Sequence, residues 1–513
     1  MFYLYCSIKL AYISLEMKSS KLIQILSTFS KEELIAFEKF IISPFFSIGR
    51  DVTGLFSALK KHYPDFPELY LEKQRIYSEL FPRENYNDKK LKNLMFDLNR
   101  QAEAFLIHYK LRSDSLMSEK LLASQLRKRM LERPFISTMN LIEKKLENIL
   151  FDGRYYFDEH EDFCVKKDDF LFWKSDFDGS IDYRVKATEY ATLSFLIKFL
   201  QRTKDKEVVI RRFGKKFDNI LFDSLAQNID FDDLIHTLNE NNYRFTWLIE
   251  IYYCSCKCFV EGEKNIVYFG KMRDLFFAHI DFFSHHERHI LFHELANFCM
   301  INKEKGDPDF AKEEFKVYKK MIQFYSSPED ENNEFFHAVL FRNIILSGIL
   351  NKDYQWVQIF ADQYIPLLKP DRRETMKHFV NAHLAFERKE FRVALDSLNS
   401  MNFDLVLNKF DVRNLMLKIY YELELYEQAY TYLDAYRHFL SGNKESARIH
   451  YEQYGNFISL YTKLLKAREE KEYNILDSFE NYIKTTEKLA SRAWLSEKIN
   501  ELISSQSKKK LVN

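Results

Sequence analysis

Glycine and proline are scarce in this chain, which has 11 glycines and 9 prolines among 513 residues. Loops, tight turns and strand edges use both residues, so their scarcity favours long helices joined by short links. The sequence also contains no phosphate-binding glycine loop, no dinucleotide fingerprint and no nucleophile elbow. We therefore expect an all-α protein that is not an enzyme, with no catalytic residues and no cofactor.

The chain also lacks an excess of charge, a disulfide framework and long apolar runs. Its 76 basic and 76 acidic residues give a formal net charge of zero, which argues against nucleic-acid binding. Six unevenly placed cysteines indicate a reducing compartment. No run of 18 apolar residues occurs, so no membrane span is expected. These features predict a cytoplasmic protein without membrane contact.

A short phrase recurs three times towards the C-terminal end of the sequence. It reads KDYQWV at 352–357, KEFRVA at 389–394 and ELYEQA at 424–429. In each copy an aromatic residue stands three positions before a small or branched one, and the aromatics are 37 and 35 residues apart. A period in this range is typical of stacked helical hairpins.

The predicted hairpins carry small and aromatic residues at matching offsets. The two better copies have them at Ala382, Ala385, Phe391, Ala394 and Leu398 and at Tyr420, Tyr426, Ala429 and Leu433. The stretch from about 333 to 440 therefore resembles tetratricopeptide repeats. The earliest copy departs from the pattern at Val357 and Ala361, and Lys389 and Glu424 stand where that family typically has glycine. The resemblance implies a right-handed α-α superhelix of degenerate hairpins.

The resemblance also implies a binding surface, because the first helices of tetratricopeptide repeats line a concave groove. The family's groove positions correspond here to Arg342, His383, Asn414, Lys418 and Tyr421. Tyr421 would supply contact area and the other four would supply polar contacts. The expected function is a scaffold that binds an unknown protein or peptide. The competing interpretation of each position is ordinary surface.

The chain from Met17 also resembles a family of uncharacterised bacterial proteins with tetratricopeptide-like helical repeats. The carrying segments are 40–46, 55–56, 63–64 and 91–95. That family has no assigned activity.

Composition and turn signals divide the chain into five segments. We predict a non-native N-terminal extension, a helical N-terminal domain, a helical connector or irregular hairpins, a tetratricopeptide-like hairpin array, and C-terminal capping helices with a tail. Their bounds are 1–16, 17–150, 151–240, 241–440 and 441–513. The first bound reflects Met17, which we expect to be the true start.

One alternative function is transcriptional regulation through the N-terminal domain. The segments IYSELFP at 76–82 and LKNLMFDL at 91–98 resemble part of a winged helix-turn-helix. The resemblance implies that the second segment is a recognition helix whose side chains reach phosphates or base edges. These side chains are Lys89, Lys90, Lys92, Asn93 and Arg100. Acidic residues share the segment, and no wing hairpin is evident.

A second alternative is a metal-dependent hydrolase. His285, His289 and His293 lie one turn apart on a predicted helix, and two imidazoles at that spacing can share a zinc ion. The nearest approach to a zinc-protease motif ends at Asn297, where a second histidine ligand is required. The competing interpretation is a polar helix face. Cys254, Cys256 and Cys258 lack a second cysteine pair, which favours core packing over zinc.

Overall fold

The computed structural model describes residues 17–46, 49–259, 265–304, 307–325, 335–402, 409–442, 451–470, 481–483, 485–486 and 488–512. These residues are predominantly helical and contain no β-strand, which confirms the all-α prediction for them. The chain divides into two compact units, Met1–Asn148 and Ile149–Asn513. The predicted extension 1–16 lies outside the described residues.

Capping residues fix the helix starts of the first unit. The Ser30 hydroxyl accepts a hydrogen bond from the Glu33 amide (3.1 Å), and the Glu33 carboxylate accepts one from the Ser30 amide (2.7 Å). Asn87 caps the longest helix of this unit by accepting from the Lys90 amide. The helices are α1 (Lys21–Ser27), α2 (Lys31–Ile42), α3 (Thr53–Lys60), α4 (Lys73–Leu80), α5 (Asp88–Ser113), α6 (Ser115–Lys128) and α7 (Glu132–Leu146).

Phenylalanine rings fill the core of the first unit. The Phe37 ring of α2 lies 5.5 Å from Phe29, 5.1 Å from Phe56 and 5.3 Å from Phe105 between ring centroids. Tilted and edge-on pairs of this kind add to the stabilisation that apolar burial supplies. The apolar side of α2 is therefore held against both α3 and α5, while α6 and α7 pair with each other as a hairpin.

The second unit begins with a long hairpin. The sequence predicts separate helices near 183–203 and 216–226 and a turn at 178–180. In the structure Asp176 caps a helix that starts at Phe177 and runs to Phe213, because its carboxylate accepts from the Gly179 amide (3.1 Å). The helices of this segment are α8 (Tyr156–Trp173), α9 (Phe177–Phe213), α10 (Ile220–Asn228) and α11 (Phe231–Glu240).

Helical hairpins follow, beginning at Thr246. Consecutive helices pack in pairs, and each pair contacts the next. The helices are α12 (Thr246–Cys258), α13 (Asn265–Ala278), α14 (His285–Glu304), α15 (Asp309–Gln323), α16 (Ala338–Leu350), α17 (Tyr354–Tyr364), α18 (Pro370–Glu387), α19 (Phe391–Asn399), α20 (Lys409–Glu422), α21 (Tyr426–Gly442), α22 (Tyr451–Glu470) and α23 (Arg492–Val512).

The recurring phrase forms the same turn in all three copies. Lys352, Lys389 and Glu424 have φ values of 58°, 64° and 58°, in the left-handed region that favours glycine. The amide of the following residue donates to the carbonyl five residues earlier, at 3.1, 2.9 and 2.9 Å. The backbone therefore keeps the helix-ending turn that glycine typically makes, although glycine itself is absent.

Small side chains allow the paired helices to approach closely. Ala394 and Ala429 are fully buried at equivalent places in their hairpins. Val357 occupies the same place in the earliest copy, and a Cβ atom on Gly348 would overlap its Cγ2 atom. Gly348 therefore makes room for the larger side chain at the copy that departs most from the pattern.

Candidate functional site

Three of the predicted groove residues lie on neighbouring helices of the second unit. Arg342, His383 and Lys418 lie on α16, α18 and α20, which are the first helices of three consecutive hairpins. The three residues interact electrostatically, because the charges of Lys418 and Arg342 both contribute to lowering the pKa of His383. We call these three residues the basic cluster.

Arg342 is the member of the cluster whose charge is neutralised. Its Nε atom donates to Asp411 Oδ2 at 2.5 Å, and its Nη1 atom donates to Asn343 Oδ1 at 2.6 Å. Burial alone would lower the pKa of Arg342, but the nearby Asp411 carboxylate raises it above the ordinary value. This ion pair is a charge-assisted link between the first and third helices of the set.

Lys418 has no comparable partner. Among the residues that the structure describes, its ammonium group makes no salt bridge, and its Nζ atom lies 5.8 Å from the centre of the Trp494 ring. The side chain is half-buried. Burial lowers the pKa of Lys418 to about 8, although the carboxylates of Glu387, Asp411 and Glu497 act in the opposite direction. Lys418 is therefore a cation held in protein surroundings without a counter-ion in contact.

His383 presents a second unsatisfied group. Its Nε2 atom is buried and has no hydrogen-bond partner in the described part of the chain, while its ring lies 4.5 Å from the Phe379 ring. Burial, followed by the charges of Lys418 and Arg342, lowers the pKa of His383 to about 3. The imidazole is neutral at pH 7, and a neutral imidazole has one donor and one acceptor nitrogen.

The structure corrects the roles expected of Asn414 and Tyr421. Asn414 is 6% exposed and its Oδ1 atom accepts from the Tyr436 hydroxyl at 3.0 Å. Tyr421 is 2% exposed, with the Arg468 guanidinium over its ring at 4.3 Å and Trp494 edge-on to it at 5.2 Å. Neither side chain is available to a partner, because both hold helices of the unit together.

Sequence reasoning missed Asp411 and Glu387, the carboxylates that surround the cluster. Asp411 has a signal in the sequence, because it precedes Asn414 and Lys418 by three and seven positions on one helix face. Glu387 carries the same kind of signal, because it follows the predicted groove residue His383 by four positions, which is one turn of α18. Its electrostatic contact with Lys418 depends on how α18 and α20 pack.

Two of the five residues proposed for nucleic-acid binding pair with nearby carboxylates, and the other three lie on the same helix. Lys90 pairs with Glu84 at 2.8 Å and lies 3.6 Å from the Phe81 ring centre, and Lys92 pairs with Asp88 at 2.8 Å. Lys89 and Arg100 are exposed and Asn93 is half-buried on the same helix, α5. Residues 17–46 and 49–148 contain no strand that could form a wing. No specific observation favours the regulator alternative.

The three histidines considered as metal ligands lie on one helix, but the nearby Glu287 carboxylate bonds to other groups. His289 and His293 lie edge to face, with ring centres 4.2 Å apart, and His285 begins the same helix, α14. Glu287 accepts instead from the Tyr252 hydroxyl and from the Gly153 amide. Within the described ranges, no group of three His, Cys, Asp or Glu side chains is placed to hold a metal ion. The geometry gives the hydrolase alternative no support.

A polar cleft of about 270 Å³ lies between α11, α12 and α13 and is lined in part by Cys254. Burial and the nearby Glu250 raise the pKa of the Cys254 thiol to about 12, so the thiolate is scarce at neutral pH. Burial likewise raises the pKa of the Cys256 thiol to about 11. These cysteines fill the core rather than serving as nucleophiles.

No family model, curated protein sequence or solved structure matches the chain. Among the described helices, none combines the length and the apolar composition needed to cross a membrane.

Proposed function

We propose that the protein is a non-enzymatic scaffold that binds a partner protein or peptide across the first helices of its hairpin array. The observation that carries this proposal is the position of Lys418, a half-buried cation without a salt-bridge partner among the described residues. Holding such a charge costs stability unless something pairs with it. A bound partner supplies the missing counter-ion.

The place of the cluster also supports binding. Lys418 and His383 each keep part of their surface exposed. The surrounding protein nevertheless removes enough water to lower the pKa of both groups. Residues that keep some surface while protein surrounds them are typical of the floor of a concavity. A right-handed, degenerate tetratricopeptide-like superhelix provides that concavity in the proposal, since its first helices line the inner face.

We further propose a cytoplasmic protein. All five described cysteines are buried and free, which agrees with a reducing compartment.

Affinity capture with the full-length protein tests the scaffold proposal. Candidate partners from the native host are then purified, and their direct binding is measured with wild-type protein and with Lys418→Gln. We expect the variant to weaken binding at least tenfold, because a desolvated charge pair is lost.

Lys377→Gln is the matched control, since Lys377 lies exposed on α18, a neighbouring first helix. It should bind as wild type does. Equal binding by both variants would contradict a partner seated on the cluster.

A further inference from the structure

We infer that the cleft between α11, α12 and α13 binds a guanidinium group, with the buried Glu250 carboxylate as its main contact. The group belongs to an arginine side chain of a polypeptide or to free arginine, because both present the same planar cation. None of the basic-cluster residues lines this cleft. The site therefore does not depend on the scaffold proposal.

Three helices give the cleft a buried floor and an exposed rim. Glu250, Tyr253 and Cys254 of α12 are buried, whereas Asp232 on α11 and Lys271 on α13 are exposed. A ligand therefore reaches the buried side chains from the rim. The volume of about 270 Å³ lies just below the roughly 300–1,000 Å³ of pockets for drug-sized ligands, so the cleft suits one side chain.

Glu250 is a buried carboxylate with one oxygen left unbonded. Its side chain is 9% exposed, and its Oε1 atom accepts from Lys271 Nζ at 2.5 Å. No donor of the described residues bonds to Oε2, and this atom is not fully buried. Because Glu250 lines the cleft, Oε2 is open to a ligand that enters there. A desolvated carboxylate oxygen without a donor is stabilised by a charged one.

The surrounding charges favour a cation. Asp232 and Glu250 give the lining two carboxylates, against the single ammonium group of Lys271. One side of the cleft is α11, which carries Asp232, Asp233 and Glu240 and no lysine or arginine. A cation that approaches past α11 is therefore attracted, and it balances the carboxylate charge that Lys271 leaves over.

The lining suits a guanidinium group better than a second ammonium group. The planar guanidinium fork donates parallel hydrogen bonds to carboxylates and stacks on aromatic rings. The half-buried Tyr268 ring lines the cleft, and Tyr268 precedes Lys271 by three positions on α13. Since Lys271 contacts Glu250, this ring and the carboxylate lie on facing walls. The Tyr253 ring is less suitable, because Lys257 Nζ already lies 5.2 Å from its centre.

Ligand-observed NMR titration tests the site on the full-length protein. The probes are free arginine, the blocked peptide Ac-Gly-Arg-Gly-NH2 and the matched lysine peptide Ac-Gly-Lys-Gly-NH2, all at one ionic strength. We expect at least one guanidinium probe to bind threefold or more tightly than the lysine peptide, because an ammonium group neither forks nor stacks in this way. The tighter guanidinium probe identifies the source of the group.

Two variants remove the carboxylates of the cleft. We expect Glu250→Gln to weaken binding at least fivefold, because a charge-assisted hydrogen bond becomes a neutral one. Asp232→Asn should weaken it about threefold through the lost charge, and its exposed position should leave folding intact. The matched control is Asp233→Asn, since Asp233 is the adjacent exposed carboxylate of α11 and does not line the cleft. It should bind as wild type does.

Several results would overturn the assignment. Without saturable binding of either guanidinium probe, the cleft is not a site for this group, and equal affinity for the lysine peptide would mean a site for any cation. Unchanged affinity in folded Glu250→Gln would remove Glu250 from the contacts. If Asp232→Asn and Asp233→Asn weakened binding equally, the general charge of α11 rather than the cleft would hold the probe. This last comparison decides the matter even if Glu250→Gln does not fold.

Discussion

Lys418 and Lys498 are two lysines of the second unit that differ in the carboxylates contacting their ammonium groups. Lys498 is 7% exposed and contacts three carboxylates, and these raise its pKa although burial alone would lower it. Lys418 is half-buried without a contacting carboxylate in the described residues, and burial lowers its pKa to about 8. The fold supplies counter-ions to Lys498 and supplies none in contact with Lys418 among the described residues.

The difference shows how a charge that is paired within the fold can be distinguished from a charge that is left for a binding site. A buried ion pair is itself a weak source of stability, because desolvation offsets much of the attraction between the charges. Removing one partner of a complete pair is nevertheless costly, since the other charge stays behind unpaired. Removing a charge that has no partner should have the opposite sign. The sign of a stability change therefore distinguishes the two lysines.

The largest effect should come from Lys498→Ala. We expect the free energy of unfolding to fall by about 3 kcal/mol, because Glu422, whose side chain is 13% exposed, loses its cation. Chemical denaturation followed by circular dichroism measures the change. The double variant Lys498→Met with Glu422→Gln is the control and should recover part of the loss. If Lys498→Ala were as stable as wild type, the ion pairs of Lys498 would not stabilise the fold.

Acidification should produce the next largest effect, through His383. Its pKa is lowered to about 3 in the folded protein, so the unfolded chain binds a proton first as the pH falls below about 6.5. Folding stability is therefore lost between about pH 6.5 and 3, by roughly 2 kcal/mol at pH 4 after allowance for partial exposure.

The pH dependence of unfolding in wild type and in His383→Gln tests this expectation. The variant should lose less stability over the same interval, because it lacks the titrating ring. His293, whose pKa is lowered to about 4, acts with the same sign in both proteins and cancels from the difference. Parallel curves would mean that His383 is not held neutral by its surroundings.

Lys418→Met should raise the free energy of unfolding by about 1 kcal/mol at pH 7, since it removes a desolvated charge without leaving one behind. The advantage should shrink as the pH rises from about 8 to about 10, because the folded protein releases the Lys418 proton before the unfolded chain does. Denaturation of both proteins at pH 7, 8, 9 and 10 measures the two free energies. A destabilised variant would assign Lys418 to packing and contradict the site.

Sequence patterns predict much of this fold because helix boundaries depend on local chemistry. A serine followed three positions later by glutamate is the pattern of a capping box, and asparagine is a favoured capping residue; Ser30 and Asn87 each start a helix in this way. The spacing of small and aromatic residues predicts the hairpins that include Ala394 and Ala429. The pattern failed at α9, where the expected turn at 178–180 is the first turn of a 37-residue helix. A glycine near Asp176 signals a loop or a capped helix equally well.

The candidate site was predicted less completely, because burial and pairing depend on how helices pack. A repeat register selects Arg342, His383 and Lys418, which lie on the first helices of three consecutive hairpins. The same register cannot show that Tyr421 is covered by Trp494, which lies 73 positions further along the chain. It also cannot show that Asp411 neutralises Arg342 across two helices.

The smallest effect should come from Lys466→Ala, because Lys466 belongs to an exposed ion pair, in contrast to the buried pairs of Lys498. Lys466 lies 3.6 Å from Glu470, and the two side chains are 62% and 44% exposed. Water screens such a pair, so the free energy of unfolding should change by less than about 0.5 kcal/mol. The measurement is the same denaturation used for Lys498→Ala. If both variants lost the same stability, burial would not explain the cost at Lys498, and the contrast with Lys418 would lose its physical basis.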